Sequence, residues 1–138
     1  MASISKDITI NAPLDAVWKV ARAFESIHEW HPAIESLKMV EGEEEPRRIL
    51  TLGNGALADE RLVELDDDKH IHTYIILDSP IPLTDYRATI NVQSEGTQSR
   101  VNWSATYKPN PGEDAACEKI VSGVFESGLE ALKQQLES

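Results

Sequence analysis

Six short runs of alternating apolar and polar residues follow one another between residues 34 and 108, and they restrict the possible folds more than any other feature of the chain. Such alternation is typical of strands with one buried face. The links between the runs are turn-like and mostly short enough for antiparallel hairpins. The pattern therefore predicts an antiparallel meander. Its six strands are residues 34–40, 48–52, 58–65, 71–77, 86–93 and 100–108.

Other elements flank this region on both sides. Residues 3–10 alternate like a further strand, and residues 13–24 repeat apolar side chains at helical spacing. Residues 25–33 predict a short second helix or turn, and residues 113–137 one long helix with an apolar face. We therefore expect an α+β fold in which the final helix packs on a single curved sheet.

Composition narrows the classes of function. The 138 residues fit one domain, spanning residues 1–138, and their net charge of −11 repels nucleic acid and anionic lipid headgroups. The single cysteine, Cys117, forms neither an intramolecular disulfide nor a cysteine-based zinc site, which favours a reducing, cytosolic setting. No stretch approaches the ~20 apolar residues of a membrane span. We expect a monomer or weak homodimer without nucleic acid or membrane insertion.

Several short motifs between residues 48 and 86 stand in a characteristic order. They are Arg-Ile-Leu-Thr-Leu at 48–52, Gly55, Glu-Arg-Leu at 60–62, Leu-Asp-Asp-Asp at 65–68, Tyr74, Pro-Ile-Pro-Leu at 80–83 and Asp-Tyr at 85–86. With the order of the elements, they resemble the helix-grip superfamily of polyketide cyclase-like proteins, START lipid-transfer domains and plant abscisic acid receptors. The resemblance implies a seven-stranded antiparallel sheet wrapped around the C-terminal helix, two short helices after the first strand, and a mostly apolar cavity.

Two loops correspond to the gate and latch of the abscisic acid receptors. They are residues 53–59 and 79–85. Ile-Pro-Leu at 81–83 stands where those receptors carry His-Arg-Leu, and Ser36 lies near the position of the lysine that holds the hormone carboxylate. The resemblance therefore does not imply abscisic acid as the ligand.

Arg48 and Glu60 form the candidate polar pair of the cavity. Alternate residues of a strand share a face, so Arg48 lies with Leu50, and Glu60 with Leu62 and Glu64. The resemblance places Arg48 and Glu60 inward. There they either satisfy each other or orient a polar group of a ligand. A relative, plant lachrymatory factor synthase, is thought to use such an arginine and glutamate with a tyrosine.

Further alternating sets supply the other predicted ligand contacts. Tyrosine and tryptophan suit a cavity wall because each combines a broad apolar face with one hydrogen-bonding group. We expect Tyr74 and Tyr86 to contact the cavity, whereas packing in the core is the favoured role of Trp103. The predicted binding residues are Arg48, Leu50, Glu60, Leu62, Tyr74, Ile76, Pro82, Tyr86, Ala88, Trp103, Val124 and Gly128.

Two glycines lie inside the final helix. Each costs about 1 kcal/mol relative to alanine, so Gly123 and Gly128 need a packing reason. Either they thin the helix beside a ligand, or they let a strand approach closely.

Metal and cofactor chemistry is not predicted. His28 with His31, and His70 with His72, each offer only two ligands, and no further motif completes either pair. Motifs for a nucleophile elbow, a phosphate loop or a dinucleotide site are absent, which disfavours hydrolases, kinases and dehydrogenases.

The sequence thus predicts a protein that binds a small hydrophobic or aromatic molecule. One alternative is an enzyme of polyketide cyclase, dehydratase or isomerase type, with Glu60 as general acid or base and Arg48 stabilising negative charge. The other alternative is a non-enzymatic adaptor or chaperone-like domain, which would expose a large apolar patch.

Overall fold

Seven antiparallel strands form a single sheet in the computed structural model, which describes residues 1–138. Their order is β1-β7-β6-β5-β4-β3-β2, so strands two to seven form the predicted meander and the first strand pairs with the last. The strands are β1 (Ala2–Ile10), β2 (Ile34–Met39), β3 (Arg47–Leu52), β4 (Leu57–Asp66), β5 (Ile71–Asp78), β6 (Leu83–Glu95) and β7 (Gln98–Pro109).

Two short helices follow β1, and one long helix ends the fold. They are α1 (Leu14–Ala21), a 3₁₀ helix (Phe24–Glu29) and α2 (Asp114–Glu137). The first helix is shorter than the predicted 13–24 because Ala23 adopts an extended conformation, with φ −76° and ψ 91°. Phe24 therefore begins the 3₁₀ helix, where it is still buried. The α+β prediction is confirmed, and no helix is both long and apolar enough to cross a bilayer.

The core lies between α2 and the sheet. Every third or fourth residue on one face of α2 is buried, as expected for a helix that packs on a sheet. These residues are Cys117, Val121, Phe125, Leu129 and Leu132. Phe125 stacks on Trp103 of β7 with 4.5 Å between ring centroids. These contacts fix α2 against the sheet, nearest to β1 and β7 at one edge.

At Gly128, two side-chain rings lie directly against the backbone of α2. A Cβ atom at this position would lie 2.6 Å from Cδ2 of His31 and 2.8 Å from Cζ3 of Trp103. Gly128 therefore allows these two rings to reach the helix backbone. Of the two predicted reasons for a glycine in this helix, the structure shows close approach at Gly128. Gly123 differs, since a Cβ atom there would meet nothing within 4 Å.

Two register shifts correct the predicted strands. In β4 the pairing moves from Leu62 with Tyr74 to Glu64 with Thr73, so Val63 is an extra residue in a β-bulge. The bulge leaves Glu64 exposed, although simple alternation places it on the inner face with Glu60. In β6 a shift between Thr84 and Arg87 lets the strand begin at Leu83, inside the predicted 79–85 loop.

Candidate functional site

A mostly apolar cavity of about 580 Å³ lies between α2 and the sheet. Of its 19 lining residues, 13 are hydrophobic. The volume falls within the range of pockets that hold small molecules. The 3₁₀ helix, strands β2 to β7 and α2 contribute to its walls, and residues 79–81 and 53–54 come from the two predicted loops.

Half of the predicted binding residues line this cavity. They are Leu50, Glu60, Ile76, Tyr86, Trp103 and Val124. The other six, Arg48, Leu62, Tyr74, Pro82, Ala88 and Gly128, do not form part of its lining.

The excluded residues have identifiable positions. Arg48 and Tyr74 contact Glu60 and Tyr86 respectively, and these partners line the cavity in their place. The carbonyl of Pro82 accepts a hydrogen bond from the Cys117 thiol, while the preceding residues 80–81 reach the cavity.

Arg48 and Glu60 lie directly opposite each other on β3 and β4. Nε and Nη2 of Arg48 both donate to the same oxygen of Glu60, Oε1, at 2.9 and 2.6 Å. Nη1 donates to the carbonyl oxygen of Phe24 at 2.6 Å, and the guanidinium carbon lies 4.0 Å from the centroid of the Phe24 ring. All three nitrogens of the guanidinium therefore have acceptors within the protein, and Arg48 is only 1% exposed.

The second oxygen of Glu60 is available to the cavity. Oε2 has no part in the bonds to Arg48, and the Glu60 side chain is 92% buried but lines the cavity. No other residue of the lining has a carboxylate, ammonium or guanidinium group. The cavity therefore has one strong hydrogen-bond acceptor on an otherwise mostly apolar wall.

A chain of three polar groups leads to the same cavity. The indole Nε1 of Trp103 donates to Tyr74 Oη at 3.3 Å, and Tyr74 Oη lies 3.5 Å from Tyr86 Oη. Either hydroxyl can donate across this contact, and when Tyr74 donates, the Tyr86 proton is free to point elsewhere. Burial raises the pKa of both phenols, which keeps them protonated. Tyr86 thus offers a hydrogen-bond donor.

His31 is a cavity residue that the sequence did not identify as a binding residue. Its Nδ1 accepts a hydrogen bond from the Ala33 amide at 3.1 Å, so the proton lies on Nε2, which donates to the Val124 carbonyl at 2.8 Å. Burial lowers the His31 pKa and keeps the ring neutral. No spacing in the sequence distinguishes this histidine from His28.

His72 is buried beside Arg48, outside the cavity lining. Its Nδ1 donates to the Ala21 carbonyl at 2.9 Å, and its Nε2 is buried without a partner. Burial lowers its pKa to about 4. No group of three histidine, cysteine, aspartate or glutamate side chains converges in an arrangement that could hold a metal ion.

Comparison with known proteins identifies the family of this chain. A family model described as polyketide cyclase/dehydrase and lipid transport matches residues 1–137. The structure of the protein XoxI from Bacillus cereus is 33% identical with a TM-score of 0.91, and the match covers 99% of this chain and 96% of that chain.

Two more distant structures show the same fold. A START superfamily protein from Mycobacterium smegmatis is 12% identical with a TM-score of 0.82, over 98% of this chain and 97% of its own. Norcoclaurine synthase from Thalictrum flavum, solved with dopamine and hydroxybenzaldehyde, is 17% identical with a TM-score of 0.78, over 97% of this chain and 85% of its own. The chain therefore belongs to the polyketide cyclase/dehydrase and lipid transport family, with the helix-grip fold of START-like proteins.

Proposed function

We propose that the protein binds a small hydrophobic or aromatic molecule in the cavity between α2 and the sheet. The observation that carries the proposal is the cavity itself, about 580 Å³ of space with mostly hydrophobic walls inside a small domain. Protein interiors are otherwise closely packed, with few voids larger than a water molecule. We further propose that binding occurs in the cytosol, as the single cysteine predicts, and that the protein is a monomer or weak homodimer.

The walls suit such a ligand. Aliphatic residues of β3, β5 and α2 remove its apolar surface from water, and the rings of Tyr86 and Trp103 provide flat contacts. Ile120 of α2 lines the cavity and is 40% exposed, so the cavity reaches the protein surface beside the helix. An adaptor would have no need of this internal space.

Thermal unfolding with and without candidate ligands tests the proposal. The panel contains fatty acids, sterols, phenolic polyketides and aromatic acids. A ligand at ~100 times its dissociation constant stabilises the native state by about 2.7 kcal/mol, which raises the Tm by several degrees. If no member of the panel changes the Tm, the proposal fails.

Two neighbouring isoleucines of β5 provide matched variants. Ile76 lines the cavity, whereas Ile75 lies on the opposite face of the strand and outside the lining. We expect Ile76→Trp to fill part of the cavity and abolish the ligand-induced shift, and Ile75→Trp to retain it. Equal shifts in both variants would place the ligand elsewhere.

An enzyme of cyclase, dehydratase or isomerase type is the second candidate. The observation in its favour is Glu60 Oε2, a carboxylate oxygen that faces the cavity without a protein partner and can act as a general base. Arg48 lies outside the cavity lining and each of its nitrogens donates to a protein oxygen, so it would stabilise negative charge through Glu60 rather than by contact with the ligand. Turnover that is unchanged in Glu60→Gln would exclude this mechanism.

A further inference from the structure

The polar groups of the cavity restrict the chemistry of the ligand. Glu60 presents a hydrogen-bond acceptor, Oε2, and Tyr86 presents a donor. No direct hydrogen bond joins them, but Arg48 and Tyr74 connect them: the guanidinium carbon of Arg48, which binds Glu60, lies 5.2 Å from the centroid of the Tyr74 ring, and Tyr74 Oη lies 3.5 Å from Tyr86 Oη. The cavity therefore has a polar end with one unsatisfied acceptor and one free donor.

An anionic ligand fits this end poorly. A carboxylate would face Glu60 in a mostly apolar space, where the two charges repel each other strongly. The nearest cation, Arg48, lies behind Glu60 and outside the cavity lining, and each of its nitrogens already donates to a protein oxygen, so it does not meet a second anion in the cavity. His31, the remaining basic group of the lining, is held neutral by burial and by its bond to Val124.

A cationic ligand is also disfavoured. Arg48 already compensates the negative charge of Glu60 at 2.6 Å. A ligand ammonium would give up its hydration and meet a pair without net charge, and burying an uncompensated ion is strongly unfavourable. A neutral group that donates one hydrogen bond avoids both penalties.

We propose that the ligand is neutral and carries a hydroxyl group that binds at the polar end formed by Glu60 and Tyr86. This inference rests on the proposed function, since it names the class of molecule that the cavity takes. A hydroxyl group donates to Oε2 of Glu60 and has lone pairs left to accept from Tyr86. Ethers and ketones leave the Glu60 oxygen unpaired, and unpaired buried acceptors lower affinity.

A series of probes with one ring system and different polar groups tests this inference. The probes are naphthalene, 2-naphthol, 2-methoxynaphthalene, 2-naphthoate and 2-naphthylmethylammonium, with phenanthrene, 9-phenanthrol and phenanthrene-9-carboxylate as three-ring equivalents. Dissociation constants are measured by calorimetry or fluorescence at pH 7. We expect the hydroxyl compound of each series to bind at least tenfold more tightly than the unsubstituted, anionic and cationic members.

Variants of Tyr86 and Glu60 test whether these two residues cause the preference for a hydroxyl group. Tyr86→Phe should weaken 2-naphthol about tenfold and leave naphthalene unchanged, whereas Tyr107→Phe, a buried tyrosine outside the lining, should leave both unchanged. In Glu60→Gln the amide oxygen accepts from Arg48 and the amide nitrogen turns toward the cavity. The preference should therefore shift from 2-naphthol toward the acceptors 2-methoxynaphthalene and 2-naphthoate.

The outcomes separate the two proposals. If no probe binds the wild-type protein, the binding function itself fails. If naphthalene, 2-naphthol and 2-naphthoate bind equally well, the binding function stands and the inference of a neutral hydroxyl compound is overturned. Tighter binding of 2-naphthoate than of 2-naphthol would also overturn it. Should Glu60→Gln fail to fold, the Tyr86→Phe and Tyr107→Phe pair still decides whether the hydroxyl is recognised at this end.

Discussion

Arg47 and Arg48 are neighbours on β3, but their side chains lie on opposite faces of the sheet and differ in burial. Arg47 points outward and its side chain is 31% exposed, whereas the side chain of Arg48 points inward and is 1% exposed. Each forms an ion pair with an acidic residue of β4, Asp59 outside and Glu60 inside. The two pairs are therefore a natural comparison within one pair of strands.

The outer pair uses both carboxylate oxygens, and the inner pair uses one. Nε and Nη2 of Arg47 donate to Oδ1 and Oδ2 of Asp59 at 2.8 and 2.6 Å, and Nη1 donates to Glu43. These bonds raise the pKa of Arg47. The inner arginine places both donors on Oε1 of Glu60. Both oxygens of Asp59 are thus bound to Arg47, whereas Oε2 of Glu60 has no protein partner and faces the cavity.

Replacing Arg48 and Arg47 in turn should give the largest difference in stability between the inner and outer faces of the sheet. Arg48→Met leaves the buried Glu60 without its partner, and we expect a loss of about 3–5 kcal/mol in the free energy of unfolding. Arg47→Met breaks a solvated pair, so its loss should be much smaller. Urea unfolding of both variants at pH 7 measures the difference. Equal losses would show that the inner pair is not special.

The pH dependence of stability should give the next largest effect, and it depends on the buried His72. The pKa of His72 is about 4 in the folded protein against an ordinary value of 6.5, so between these values the unfolded chain binds more protons. Stability is therefore retained above pH 6.5 and decreases as the pH falls toward 4, by about 3 kcal/mol in total.

Urea unfolding at pH 7.5, 6 and 5 measures this loss. We expect His72→Asn, which retains an amide donor for the Ala21 carbonyl, to flatten the pH dependence. The control is His70→Asn, at a turn where φ is 56°, a conformation that asparagine tolerates. It should retain most of the dependence. An unchanged slope in His72→Asn would mean that other groups cause the loss.

The two glycines of α2 extend the comparison to the helix. Gly128→Ala places a methyl group 2.6 Å from a carbon of His31, a ring fixed by hydrogen bonds at both nitrogens. Overpacking of this kind destabilises by about 1–3 kcal/mol. Thermal unfolding measures the effect, and a variant as stable as the wild type would show that the His31 and Trp103 rings can move aside.

Gly123→Ala should have the smallest effect on stability, and it should raise the stability rather than lower it. The new methyl group meets no atom within 4 Å, so the gain in helix propensity, up to about 1 kcal/mol, should appear as added stability. The same thermal unfolding measurement tests it. A loss of stability would mean that this face of α2 is packed more tightly than the structure describes.

Alternation in the sequence was sufficient to predict the sheet, whereas the inward direction of Arg48 and Glu60 was implied by the family resemblance. Alternation identifies which residues share a face, because neighbouring residues of a strand point to opposite sides. It does not identify depth, so it could not show that Glu60 lines the cavity while Arg48 lies behind it. Nor could it show that both donors of Arg48 meet one oxygen, which depends on side-chain torsions.

Two further features of the structure could not be predicted from neighbouring residues in the sequence. The bulge at Val63 turns Glu64 outward, yet nothing in the residues 60–65 marks where the register shifts. The role of His31 depends on Gly128, almost a hundred positions later, which leaves room for its ring beside α2. Such long-range contacts cannot be read from the neighbours of either residue.

The pairing of β1 with β7 has a consequence for how the protein is made. Ala2 lies opposite Tyr107, and Ile10 opposite Ser99, so the first strand pairs with residues about ninety to one hundred positions later. During synthesis β1 therefore stays without this partner until β7 has left the ribosome. Contacts this distant slow folding because a long loop must close before they form. Until β7 is available, the unpaired edge of β1 can pair with another chain, which favours aggregation during folding.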